Sequence, residues 1–302
     1  MSDDLPVEPR ACTSEQDYFE LWNKHLDPTT APNHKNNSRL ATQLAPTELA
    51  ETGGRLADRA AWVFIAGYQG ALRQCFPVLR DHPGWASYVV SEARGESGQP
   101  TCQLITNASG SYLQGTKNWV AASAHLRWLV VNATNSADSA ASTTSNLLIG
   151  ADVPGAVLIQ KPGGRFLPEL VVGRAEFSEV PLAEYSRLDK GRTFVDLFGL
   201  IEARCLLVAM AGHFAQLAPN DPQPAQSLML SAGLATAELG SRGSIDVLLD
   251  AMALLVEWFE GWHGQGRPGD SAAVSEMRKR WSQDQRLLQM HRPLLLKRQA
   301  LH

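Results

Sequence analysis

Hydrophobic and polar positions follow three successive rhythms along the chain. Over residues 14–82, apolar side chains recur every three or four positions, the period of an amphipathic helix. "SEQDYFELWNKHL" (14–26) predicts one helix, stopped by Asp27-Pro28. An Asn-, Pro- and Thr-rich loop follows. "TELAETGGRLADRAAWVFIAGYQGALRQCFPVLR" predicts more helix, interrupted at Gly53-Gly54. The rhythm changes over residues 84–182. "WASYVVSEA", "TCQLITNA", "YLQG", "KNWVAA", "RWLVVNA", "NLLIGADV", "GAVLIQ" and "LVVGRAEFSEVPL" are short runs suited to strands, separated by Gly, Asn, Ser and Pro. "NSADSAASTTSN" (135–146) reads as a polar surface loop between two of them. From residue 192 the helical period returns. "TFVDLFGLIEARCLLVAMAGHFAQLA" predicts one long buried helix, broken between Pro219 and Pro224. "AQSLMLSAGLATAEL", "SIDVLLDAMALLVEWFEGW" and "SAAVSEMRKRWSQDQRLLQMHRPLLLKRQ" predict three more, with Pro293 ending or kinking the last.

These rhythms imply an α+β fold: an N-terminal helical region (residues 1–83), a central antiparallel β-barrel or sandwich (84–182) and a C-terminal helical bundle (183–302). The segment "GSYLQGTKNWVAASAHLRWLVVNA" (110–133) stands out within the β region. A Trp follows what reads as a Gly-Thr-Lys-Asn turn and leads into the small residues Val120-Ala121-Ala122. Small neighbours beside an indole suit a surface against which something flat lies.

Composition narrows the function classes. Of 302 residues, 44% are hydrophobic and 19% charged, the mix of a globular protein with a sizeable core. The net charge of −4 supplies no general attraction to nucleic acid or anionic membrane. "MSDDLPVEPRACTSEQ" is polar and acidic, so no secretory signal is expected, and the apolar runs read as too short or interrupted for a bilayer. Cys12, Cys75, Cys102 and Cys205 lie far apart without CxxC spacing, which fits thiols in a reducing cytoplasm. No histidine stands in an HExxH pattern, so no metal site is expected. "GQGRPG" (264–269) carries a proline where a phosphate-binding helix would begin and reads as an interhelical loop. Ser227, Ser231 and Ser241 lack a hydrolase elbow. Arg278, Lys279 and Arg280 read as a solvated helix face.

Four segments, in order, resemble the acyl-CoA dehydrogenase family. "YVVSEARGES" (88–97) is similar to its Thr-Glu-Pro-Gly-x-Gly-Ser motif: Ser91 stands at the Thr, Glu92 at the Glu and Ser97 at the Ser, while Ala93, Arg94 and Glu96 depart. "LQGTKNWVAA" resembles a motif with Gly, Lys and Trp at Gly115, Lys117 and Trp119, with Val120 for Ile and Ala121 for Thr. "ARCLLVAMAGHFAQ" resembles the first bundle helix, with Arg204 at a recurrent Arg. "RWSQDQRLLQM" resembles the late helix through Arg280, Asp284, Arg286 and Gln289, with Gln283 for the second Arg.

The resemblance implies FAD held between barrel and bundle, with Ser91, Ser97, Trp119 and Ala121 lining the ring, and an acyl-CoA or related thioester as substrate. It implies a cytoplasmic oxidoreductase acting on a CH–CH bond. The usual base is missing. Arg292 stands where the late-helix Glu would be, and a guanidinium accepts no proton at working pH. Ala203 occupies the alternative position on the first bundle helix. Glu202 is the remaining candidate, one residue or about 100° round that helix and expected to point elsewhere. The segment "LAPNDPQPAQSL" lacks the family's Arg-x-x-Phe-Gly contact to pyrophosphate. Two readings follow: a flavoprotein with relocated chemistry, expected to show little ordinary acyl-CoA dehydrogenase turnover alone, or a non-catalytic homologue serving as a binding or partner subunit. Apolar positions Leu248, Leu249, Met252, Leu255, Val256 and Phe259 lead to an expected homo-oligomer, or a hetero-oligomer, through the C-terminal helices.

Overall fold

The computed structural model describes residues 12, 14–26, 44–91, 102–108, 110–135, 143–161, 167–182, 186–188, 193–217, 223–237, 239–263, 287 and 290–301. It divides into two compact units, Met1–Gln74 with Gly199–His302, and Cys75–Phe198.

The first unit is helical. α1 (Glu15–His25) opens with a capping box, in which the Asp17 N–H donates to Ser14 Oγ at 3.2 Å and the Ser14 N–H to Asp17 at 2.9 Å. Its apolar stripe buries Tyr18, Leu21 and Trp22, and Tyr18 stacks on Trp62 at 5.3 Å. α2 (Pro46–Leu56) begins on a proline, and α3 (Ala60–Cys75) follows a short break. The interruption expected at Gly53-Gly54 falls instead at Ala57-Asp58-Arg59, because the two glycines serve packing. A Cβ on Gly54 would lie 2.0 Å from the Ala209 carbonyl oxygen, and one on Gly53 would lie 2.6 Å from the Trp22 ring. Gly212 likewise lets its helix approach the Glu51 carbonyl, to which a Cβ would come within 2.1 Å. The break itself is tied down: the Cys12 N–H donates to Asp58 at 3.0 Å and His213 Nδ1 donates to the Ala57 carbonyl at 2.8 Å.

α4 (Thr193–Leu217) is the single long helix the sequence predicts. Contrary to the sequence expectation, its Leu197–Leu217 stretch is long and apolar enough to cross a membrane, but every residue from Phe198 to Phe214 is buried within the protein. α5 (Gln223–Ala237) takes Pro224 into its first turn, and α6 (Arg242–His263) and α7 (Arg292–Gln299) follow. Pro293 lies in the first turn of α7, directly after a bend at Met290-His291, where a proline forgoes no intrahelical bond. Leu248, Met252 and Leu255 of α6 are buried in the chain's own core, with Leu249 and Val256 half-buried; the Phe259 side chain lies outside the described part.

The second unit holds β1 (Trp85–Val89), β2 (Gln103–Asn107), β3 (Gly110–Ala121), β4 (Leu126–Asn135), β5 (Thr144–Gly150), β6 (Ala156–Lys161), β7 (Val172–Pro181) and β8 (Ser186–Leu188). They pair in the order β6-β7-β3-β2-β4-β5-β8, with β1 also on β4. The antiparallel barrel is thus corrected to an open, mixed sheet. β1 and β2 both run parallel to β4, and among the described residues β6 and β8 do not pair to close it. Two-residue periodicity reports which face a side chain takes, not strand direction, so the parallel pairs left no mark in the sequence. Alternate positions Leu129, Val131 and Ala133 of β4, Leu147 and Ile149 of β5, and Ala175 and Phe177 of β7 fill one core face.

The Gly-Thr-Lys-Asn turn is also corrected. Residues 115–118 lie inside β3, which stays paired to β7 through two irregularities, between Leu113/Gly115 and Asn118/Val120. Gly115 (φ 124°) and Trp119 (φ 59°) absorb these bulges, so the turn-like composition marks kinks in one strand.

Candidate functional site

In the sheet unit, the second irregularity of β3 aims one side chain outward. Trp119 is 39% exposed and sits in the left-handed region, which costs a non-glycine residue about 1–2 kcal/mol. An exposed indole on a strained backbone is a placement that packing alone does not reward. The chain after β1 runs beside it: the Asn118 N–H donates to the Ser91 carbonyl at 2.8 Å, and the buried Lys117 Nζ donates to the Val90 carbonyl at 3.1 Å. Ser91, itself exposed, is therefore brought to within one residue of Trp119 along the strand. Val120, Ala121 and Ala122 are buried rather than a small-residue surface. Val120 and Ala121 stand opposite Gly173 and Val172 of β7. Ser97 lies outside the described residues.

In the helical unit, α4 carries Glu202, Ala203 and Arg204, all buried. Arg204 donates to Gln74 Oε1 of α3, and Cys205 Sγ approaches the same oxygen at 3.7 Å. Glu202 meets a partner that sequence reasoning passed over: its Oε2 lies 3.4 Å from Nε2 of His291, the buried residue capping α7. Burial pushes the Glu202 carboxyl up to about 8 and pulls His291 down to about 4. At neutral pH the contact is therefore an uncharged acid beside an uncharged imidazole, not an ion pair. His291 Nε2 has no hydrogen-bond partner among the described residues. His291 and Ala203 line a small apolar cavity with Leu206, Leu207, Met210, Met252 and Leu287. Arg292 is exposed. Glu202 thus faces His291, which lines the same cavity as Ala203. The signal available in sequence is the histidine directly before Arg292. Among the described residues no cluster could hold a metal. Arg280, Asp284, Arg286 and Gln289, the basic run at 278–280, the Gly264–Gly269 loop, the loop at 27–43, most of the 135–146 loop and the Pro219–Pro222 break lie outside the described residues.

No family model and no curated protein matches the sequence. Solved structures do. An FAD-dependent dehydrogenase superposes with a TM-score of 0.59 at 12% identity, over 94% of this chain and 90% of its own. The dibenzothiophene monooxygenase TdsC from Paenibacillus sp. A11-2 gives 0.56 at 15%, over 84% and 81%. The prolyl acyl carrier protein oxidase AnaB gives 0.52 at 15%, over 84% and 83%. At these identities the similarity establishes a shared fold alone, and that fold is consistent with the acyl-CoA dehydrogenase-like resemblance of the four sequence motifs.

Proposed function

We propose that the chain is a flavin-dependent oxidoreductase, acting on the CH–CH bond of an acyl thioester or through related flavin chemistry. The observation that carries this reading is the extent of the fold match, which takes in nine-tenths or more of this chain and of an FAD-dependent dehydrogenase. The exposed, strained Trp119 fits a flat cofactor, since an indole offers large contact area at little entropic cost. In this reading Trp119 and Ser91 lie against the ring, Ala121 backs it from within the strand, and Ser97 completes the motif. A flavin would supply a two-electron acceptor; the chain's part is to orient it, exclude water and hold the substrate's proton. FAD is the proposed form, and FMN, present in TdsC, is the competitor. Assembly through the C-terminal helices belongs to the same reading: Leu230 of α5 is 65% exposed and Leu254 of α6 is 39% exposed, and light scattering reads the expected oligomer.

The test is the visible spectrum of purified protein, with mass spectrometry of the released cofactor. A flavin band that weakens in a folded Trp119→Ala variant is expected. Colourless protein that takes up neither FAD nor FMN overturns the reading and returns the non-catalytic homologue.

A further inference from the structure

Two exposed stripes in the helical unit carry opposite charge around apolar centres. On α6, Asp250, Ala253, Leu254 and Glu257 are exposed at positions i, i+3, i+4 and i+7, which share one face of a helix. On α7 and the residues directly after it, Pro293, Leu296, Lys297, Ala300 and Leu301 repeat that spacing and are exposed. Leu254 is 39% exposed, Leu296 44% and Leu301 77%, so each forgoes much of the burial that would reward it. The α6 positions include two carboxylates and no cation. The α7 positions include Lys297, with the exposed Arg292 ahead of them, and no carboxylate. Among the described residues none of these four charges enters an ion pair. The stripes adjoin, because Gln299 Nε2 donates at 2.6 Å to Asp246 Oδ1, one turn ahead of Asp250. On α5 the exposed Met229 and Leu230 belong to a helix without a charged residue, so nothing there selects a partner.

We propose that the two stripes are the halves of one self-complementary interface, and that its partner is a second copy of this chain. A two-fold axis passing between adjoining stripes sets α6 of each copy on α7 of the other, so both contacts form together. Leu254 then packs on Leu296 of the partner subunit, and Lys297 faces the partner's acidic stripe. The leucines supply adhesion and the charges supply register. An acidic stripe repels its own copy, as does a basic one, so like-on-like pairing is disfavoured. A stable dimer buries about 800 Å² on each partner, more than one helix stripe offers, and the reciprocal arrangement doubles the contact. The inference gives a surface to the assembly proposed above, on which it rests, and it needs no flavin.

The test is the mass of the full chain by sedimentation and light scattering at micromolar concentration and low salt. Wild type is expected to associate in multiples of two, and added salt should weaken the association. Lys297→Glu makes both stripes acidic, and Asp250→Lys with Glu257→Lys makes both basic. Each variant should raise the dissociation constant about 10-fold or more, because like charges then face one another. Mixing the two variants should restore association, since every contact in the mixed dimer again joins opposite charges; a folding defect would show no such rescue. A monomeric wild type overturns the inference and the assembly reading together. An oligomer indifferent to both variants overturns the inference alone, as does association lost in both variants and not recovered on mixing. The visible spectrum of the same samples reads the flavin separately. Colourless dimers with the expected rescue refute the flavin reading and keep the interface, whereas coloured monomers do the reverse.

Discussion

Each unit buries a cluster of polar side chains, and the two clusters are satisfied differently. In the sheet unit, Asn146 Oδ1 accepts from Tyr88 Oη at 3.1 Å and from Asn132 Nδ2 at 2.9 Å, all three side chains being buried. Tyr88 also packs on Phe76 and Phe198 at 5.1 and 4.9 Å. In the helical unit, Glu202 and His291 face one another at 3.4 Å, and His291 Nε2 has no hydrogen-bond partner among the described residues. A satisfied network specifies a core; a half-satisfied one lowers stability and is kept where chemistry needs it.

Removing the centre of the satisfied cluster should have the largest effect. Asn146→Ala removes the acceptor shared by Tyr88 Oη and Asn132 Nδ2 and should cost about 2–4 kcal/mol in chemical denaturation. A loss under about 1 kcal/mol would erase the distinction between the clusters. Replacing the other cluster should act oppositely: Glu202→Met with His291→Leu should stabilise the fold by about 1–3 kcal/mol at neutral pH. A destabilised double variant would make the pair structural. The smallest change belongs to the β3 bulge. Trp119→Gly should shift stability by less than about 1 kcal/mol, because relief of left-handed strain offsets lost contact, yet it should reduce flavin retention. A larger loss of stability would make Trp119 a packing residue.

How far the sequence disclosed these regions follows from what periodicity encodes. The 3.6-residue rhythm placed α1 and α4 because a helix's buried face is written in its own residues. It misplaced the break before α3, because Gly53 and Gly54 answer to Trp22 and Ala209, which only the fold brings near. Strand runs were legible, but β1 beside β4 in parallel was not, since direction leaves no trace in alternation. Trp119 was legible as unusual and its bulge was not, because Gly115 and Asn118 read equally well as a turn. Helix geometry set Glu202 about 100° from Ala203, yet Glu202 meets His291, which lines one cavity with Ala203. The meeting with His291 depends on how a distant helix start packs, and no local pattern carries that.

The claim that Glu202 and His291 form an uncharged, uncompensated pair is tested most directly by the pH dependence of unfolding free energy in wild type and Glu202→Gln. With its carboxyl held protonated up to about 8 instead of the usual 4.5, Glu202 keeps a proton that the unfolded chain releases, so its contribution to stability falls as pH rises across that interval. His291, pulled from 6.5 to about 4, acts in the opposite sense, adding stability as pH rises between those values. In wild type the two oppose below pH 6.5 and the Glu202 loss stands alone above it; Glu202→Gln leaves only the histidine's part. The variant should therefore gain on wild type by roughly 1.4 kcal/mol per pH unit, about 2–3 kcal/mol between pH 5 and pH 7.5. A stability difference that stays flat over that range would mean that Glu202 is ionised in the folded protein, and the account of the pair would be wrong.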